Sequence, residues 1–199
     1  ERLASDRLCV AFVAESSRGK SELINAIFFA DTGRRILPAT PGRTTMCPVE
    51  LGYEPNTPAL LALLPIDTRL EAHSLADLRE KPELWTRIRL DAESPERLAE
   101  ALTEVTRTKA VSVDTARALG FWHDDTPDDN PPRLAEGLVE VPAWRHAAIN
   151  YPHSLLKRGL VVANGVGVVD SDYSGPTDEI KIQVLNVTSV PVAIEPGDR

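Results

Sequence analysis

A Gly-Lys-Ser turn set between an apolar run and an amphipathic stretch constrains this chain more than any other feature. Leu8 to Val13 is continuously apolar, which suits a strand buried on both faces of a parallel sheet. From Lys20 to Phe29, Leu23, Ile24, Ile27 and Phe28 fall on one helical face. Between the two lies Ala14-Glu15-Ser16-Ser17-Arg18-Gly19-Lys20-Ser21, which fits the phosphate-loop spacing except that Ala14 stands at the usual first glycine. The chemistry needs these residue types. The backbone N–H groups from Glu15 through Gly19 would turn inward onto a phosphate, and Gly19 lets the main chain come close. Lys20 supplies a point charge near the β- and γ-phosphates, and Ser21 offers a hydroxyl to Mg²⁺. Ala14 strains the turn if its φ must be positive.

Composition bounds what such a loop can serve. The 199 residues allow one ordinary domain, or one and a fragment. With 42% hydrophobic and 26% charged residues the chain reads as globular, with enough apolar residues to bury a sizeable core. Its 22 Lys and Arg against 30 Asp and Glu leave a net charge of -8. That balance argues against a general nucleic-acid binder or a partner of anionic membranes, yet it leaves room for a nucleotide pocket. No run of roughly 18 apolar residues is present to span a bilayer. Two cysteines, Cys9 and Cys47, suit a reducing cytoplasm, and neither stands at zinc spacing with His73, His123, His146 or His153. The start at Glu1, without Met or signal peptide, and the stop at Arg199 read as cut ends.

Beyond the loop the chain changes character twice. Residues 53–150 are rich in Leu, Ala, Arg and Glu and read as helical, most clearly over 70–122. Ser94-Pro95-Glu96 has the marks of a helix start, and Leu98, Ala101, Leu102 and Val105 follow at helical spacing. Ser74 with Asp77 is a weaker capping signal, and Gly120 a helix terminator. Trp85, Trp122 and Trp144 read as core residues of helical stretches. His123 to Pro132, with four Asp and three Pro, reads as a solvated loop without the Gly and closing Glu of a calcium loop. From 160 onward the chain turns to Val and Ile. Ile180, Ile182 and Val184 alternate with Lys181 and Gln183 as in a half-buried strand, and Val190–Ile194 is a second candidate.

The phosphate loop and its continuation through Glu22-Leu23-Ile24-Asn25-Ala26 resemble the G domain of bacterial dynamin-like GTPases. So do Ile36-Leu37-Pro38 followed by Gly42-Arg43-Thr44-Thr45-Met46-Cys47-Pro48, and the stretches Val141–His146 and Tyr151–Leu160. The resemblance covers roughly residues 8–162. It implies GTP as ligand, Mg²⁺ as cofactor held by Ser21 and a switch threonine, and that same threonine placing the attacking water. The Thr-x-x-Pro spacing puts this role on Thr45, with Thr44 the alternative. The likeness stops after Leu160-Val161-Val162, where the family's Asp-Thr-Pro-Gly is replaced by Ala163-Asn164-Gly165-Val166. No Asn/Thr-Lys-x-Asp follows to read guanine, and Thr108-Lys109 lacks the Asp.

Gly159 to Gly175, with Val168-Val169-Asp170-Ser171-Asp172-Tyr173-Ser174-Gly175 at its end, resembles the uracil-binding hairpin of trimeric dUTP pyrophosphatases, and Asp178–Asn186 resembles the strand that follows. The resemblance implies that the hairpin backbone around Asn164 and Gly165 pairs with uracil, that Asp170 orients the attacking water, and that Tyr173 packs on the deoxyribose. It also implies dUTP as substrate and a trimer. The family's Arg-Ser-Ser segment, acidic metal-binding segment and Gly-rich arm have no counterpart here.

The expectation is therefore an α/β chain of two joined pieces. Residues 1–160 form a P-loop GTPase-type partial parallel sheet with a helical insertion, and 161–199 a short all-β tail whose strands cover the open sheet edge. The expected function is Mg²⁺-dependent binding, and hydrolysis, of a nucleoside triphosphate, GTP by the larger resemblance. The alternatives are a dUTP hydrolase using Asp170 and Tyr173, and an inactive interaction domain. No nucleic-acid or membrane partner is expected.

Overall fold

The computed structural model describes residues 8–12, 19–38, 47–71, 73–127 and 130–164. One row of apolar side chains crosses the main sheet from edge to edge. It joins Val10, Val162, Leu51, Ile149, Leu61 and Ile88, each opposite the next across a strand pair. The strands are β1 (Leu8–Phe12), β2 (Val49–Gly52), β3 (Leu60–Pro65), β4 (Thr86–Arg89), β7 (Trp144–Asn150) and β8 (Leu160–Asn164). Their order is β1-β8-β2-β7-β3-β4. A separate two-stranded sheet pairs β5 (Thr108–Val111) with β6 (Val139–Pro142).

The sheet is mixed rather than parallel. β1 with β8, and β2 with β7, run parallel, whereas β8 with β2, β7 with β3, and β3 with β4 run antiparallel. The class is α/β, but the expected helical middle is interrupted by strands. Residues 70–122 contain three short helices, α2 (Leu75–Arg79), α3 (Pro95–Thr103) and α4 (Val113–Ala118), with β4 and β5 between them. All three tryptophans lie outside helices. Trp144 opens β7, Trp85 precedes β4, and Trp122 follows α4 under the Arg133 guanidinium, 4.8 Å from the ring centre.

Helix α1 (Lys20–Phe28) and α3 pack on one face of the sheet. Two expectations about this layer change. β1 is an edge strand among the described residues, with Leu8 41% exposed, because only β8 flanks it. On α1, Ile24 and Phe28 face the core while Leu23 and Ile27 are 43% and 38% exposed. The place between the core pair is taken by Asn25.

The caps fall where the sequence puts them. The Ser94 hydroxyl accepts from Arg97 N–H, and Pro95 opens α3, which buries Leu98 and Leu102. Ser74 and Asp77 form a reciprocal capping box on α2. Gly120, at φ +78°, follows the end of α4. Asn130 closes the acidic loop by accepting from His123 N–H and donating to its carbonyl. The tail strands expected at 180–184 and 190–194 lie outside the described residues.

Candidate functional site

Three strand ends meet at one end of the main sheet. Phe12 at the end of β1 lies opposite Asn164 at the end of β8, and Asn164 lies opposite Val49 at the start of β2. The chain therefore departs toward 13–18 and toward 165–199, and arrives from 39–46, at this one end. Seven residues separate the end of β1 from the start of helix α1.

The start of α1 is marked by a glycine. Gly19 stands at its head in the left-handed region, φ +83° and ψ +10°, where a side chain would be strained. The Gly19 carbonyl accepts from Leu23 N–H at 2.9 Å, so the first helical turn is formed. Lys20 and Ser21 sit on that turn. Burial lowers the pKa of the Lys20 ammonium from its ordinary value, as expected for a cation partly withdrawn from water. Glu22 on the same turn pairs with Arg35.

Asn25, 7% exposed, makes three hydrogen bonds to the main chain of 36–37. Its Oδ1 accepts from Ile36 N–H at 3.0 Å and Leu37 N–H at 2.7 Å, and its Nδ2 donates to the Leu37 carbonyl at 2.9 Å. The sequence reading passed over it. A polar residue between core positions on an apolar helix face was the available signal.

Of the residues singled out from sequence, Gly19, Lys20 and Ser21 are placed together, and the main chain of Asn164 ends the strand beside β1. Glu15, Ser16, Ser17, Arg18, Thr44, Thr45, Gly165, Asp170 and Tyr173 lie outside the described residues. Thr108-Lys109 belongs to β5, where the Lys109 ammonium contacts the Asp67 carboxylate at 2.6 Å, so that pair is structural. Among the described residues no group of three His, Cys, Asp or Glu could hold a metal ion.

The opposite sheet face carries a shallow groove of about 360 Å³ bordered by Glu50, Trp85, Arg79, Arg87 and Asn150. Beside it His146, 9% exposed, points Nε2 at the Glu50 carboxylate, 3.6 Å away, with no hydrogen-bond partner for that nitrogen among the described residues. His146 is foremost in holding the Glu50 carboxyl below its ordinary pKa. Burial opposes this, and Arg79, which pairs with Glu50, adds to it. Cys47 is enclosed by the core, and burial pushes its thiol up to about 12.

Comparison with known proteins finds two likenesses. Over 70 residues the chain is 54% identical to the deoxyuridine 5'-triphosphate nucleotidohydrolase of Desulfitobacterium hafniense, covering 34% of this chain and 44% of that protein. The enzymes of the same name from Idiomarina loihiensis and Neisseria gonorrhoeae are 46% and 43% identical over 56 residues, 27% of this chain and 35% of each of theirs. The chain thus spans less than half the length of these curated relatives. Among solved structures, one of an oligomerised bacterial dynamin pair, described as sensing and tethering membranes, matches 81% of this chain and 16% of its own at 18% identity. Its TM-score of 0.36 is too slight to bear on fold or function. No family model matches. The dUTP pyrophosphatase resemblance therefore has a counterpart among known proteins. Among the described residues no helix is long and apolar enough to cross a membrane.

Proposed function

We propose that this chain binds a nucleoside triphosphate and that dUTP is the one it selects and hydrolyses. The observation that carries this reading is the 54% identity over 70 residues to a deoxyuridine triphosphate nucleotidohydrolase. The roles follow the chemistry of the residue types. Backbone donors and acceptors around Asn164 and Gly165 pair with the uracil edge. The Asp170 carboxylate takes a proton from water as the water oxygen attacks a phosphorus, and the opposite phosphorus–oxygen bond breaks to release the leaving phosphate. The Tyr173 ring packs on the sugar and disfavours a 2′-hydroxyl. Mg²⁺ would neutralise the triphosphate, and a trimer would complete a site that one short tail cannot enclose. Two free cysteines suit the cytoplasm.

The test is calorimetric titration with dUTP, UTP and dCTP in Mg²⁺, with turnover followed in parallel. Wild-type protein should bind dUTP at least about tenfold more tightly than UTP. Tyr173→Ala should lose that margin, and Asp170→Asn should keep binding while turnover falls by about two orders of magnitude or more. Equal affinity for all three nucleotides contradicts the reading.

A second reading, GTP binding at α1, is favoured by one feature: Gly19 in the left-handed region heading a helix whose first turn carries Lys20 and Ser21. Here Ser21 and Thr45 would hold Mg²⁺, which supplies charge neutralisation between the β- and γ-phosphates. Glu15 to Arg18 would wrap the phosphates, and Thr45 would orient water. No residue of the chain is assigned to guanine, so the base is chosen in this reading by resemblance alone.

A further inference from the structure

The two faces of the main sheet are unlike. Toward α1 the cross-strand row from Val10 to Ile88 is built of large apolar side chains. On the other face one row reads Ala11, Ala163, Glu50, Ala148, Ala62 and Arg87, each opposite the next across a strand pair. Alanines leave a low floor of methyl groups there. The groove of about 360 Å³ lies over the part of this row from Glu50 to Arg87, and its size is that of a small-molecule site. Trp85 borders it as a fixed wall. Its Nε1 donates to the Leu78 carbonyl at 2.8 Å, and its ring meets His146 edge-on with centres 6.2 Å apart.

The two charged residues of the row differ in how they are satisfied. Glu50 is paired with Arg79, whereas Arg87 is exposed and has no carboxylate partner among the described residues. On the buried side of Glu50, the His146 Nε2 aims at the same carboxylate from 3.6 Å and makes no hydrogen bond among the described residues. The polar end of the groove is therefore incompletely satisfied, which is unusual for buried polar atoms.

We infer that this groove binds a small aromatic carboxylate whose ring carries a hydrogen-bond donor at the end opposite the carboxylate. The carboxylate pairs with the Arg87 guanidinium, whose planar fork matches it. The ring lies on the Ala62 and Ala148 methyls beside Trp85. The donor at its far end gives its hydrogen bond to Glu50. The spacing agrees. Neighbouring strands stand roughly 4.8 Å apart, so Arg87 and Glu50, separated by β3 and β7, have main chains about 14 Å apart. Their side chains reach in from both ends and leave room for one six-membered ring with a group at each end. A ring carrying a carboxylate at both ends would set an anion against Glu50 and is rejected. The site lies on the face away from α1 and is independent of either nucleotide reading.

The experiment titrates the full chain calorimetrically with 4-hydroxybenzoate, benzoate and terephthalate. The first should bind with a Kd below about 1 mM. Benzoate, lacking the donor to a charged acceptor, should bind about tenfold more weakly, and terephthalate more weakly still. Arg87→Gln should weaken 4-hydroxybenzoate about tenfold or more. Arg87 is exposed, so this variant keeps its fold, and a thermal melt checks that. Ala62→Leu fills the floor and should abolish binding with every polar group intact. If Ala62→Leu does not fold, Arg87→Gln decides. No binding of 4-hydroxybenzoate up to about 10 mM, unchanged affinity in Arg87→Gln, or benzoate or terephthalate binding as tightly as 4-hydroxybenzoate overturns the assignment.

Discussion

Glu50 shows how much one residue can depend on its setting. It stands on the sheet face away from α1, opposite Ala148 and Ala163, with Arg79 and His146 as its polar neighbours. Together they hold its carboxyl below the ordinary range. A carboxyl whose folded pKa is depressed stabilises the fold above its unfolded value, about 4.3, and loses that contribution as pH falls through the folded value. Glu50→Gln should therefore be less stable than wild type at about pH 7, with the gap closing below about pH 4. Urea midpoints measured across that range check it, and a gap independent of pH would show that Glu50 acts only by its shape. Nothing in the sequence marked this cluster. Glu50, Arg79 and His146 are far apart in the chain: the parallel pairing of β2 and β7 brings His146 to Glu50, and Arg79 reaches it from α2.

At the scale of elements, the local signals were legible and the sheet was not. Ser94, Pro95 and the Leu98/Leu102 pair act within one helix, so α3 could be read directly. Ser94→Ala should cost about 1 kcal/mol, since its hydroxyl accepts from Arg97 N–H and that donor would be left to water. Thermal melts read this, and a change below about 0.3 kcal/mol would mean the cap is dispensable. Strands β3 and β7 escaped because both are central. Leu60–Pro65 and Trp144–Asn150 are buried on both faces in part, and such strands lose the period-two alternation that would distinguish them from helix. The reverse error befell β1. Its unbroken apolar run reads as fully buried, yet its place at the edge of the described sheet is a matter of topology. Leu23 and Ile27 follow the same logic, because helical spacing defines a face but not how much of it is covered.

At the scale of the whole molecule, the ends of β1 and β8 and the start of β2 come together, and the segments richest in motif residues join the fold there. This convergence is compatible with either nucleotide. The Gly19-Lys20-Ser21 run stood out because a phosphate loop demands a fixed order of residue types, and in the structure Gly19 heads α1 with Lys20 and Ser21 on its first turn. Asn25 was not, since its partners lie on a segment 11 to 12 residues away. The dUTP likeness was legible from an unbroken motif, and it is the one with strong identity among known proteins. The central claim is that this chain recognises deoxyuridine triphosphate. The most direct test is side-by-side titration of labelled dUTP and GTP, with Mg²⁺, on purified monodisperse protein and on Tyr173→Ala and Lys20→Ala. The account predicts tighter binding of dUTP, lost in Tyr173→Ala. GTP binding abolished by Lys20→Ala, with dUTP binding absent, would contradict it and make α1 the working site.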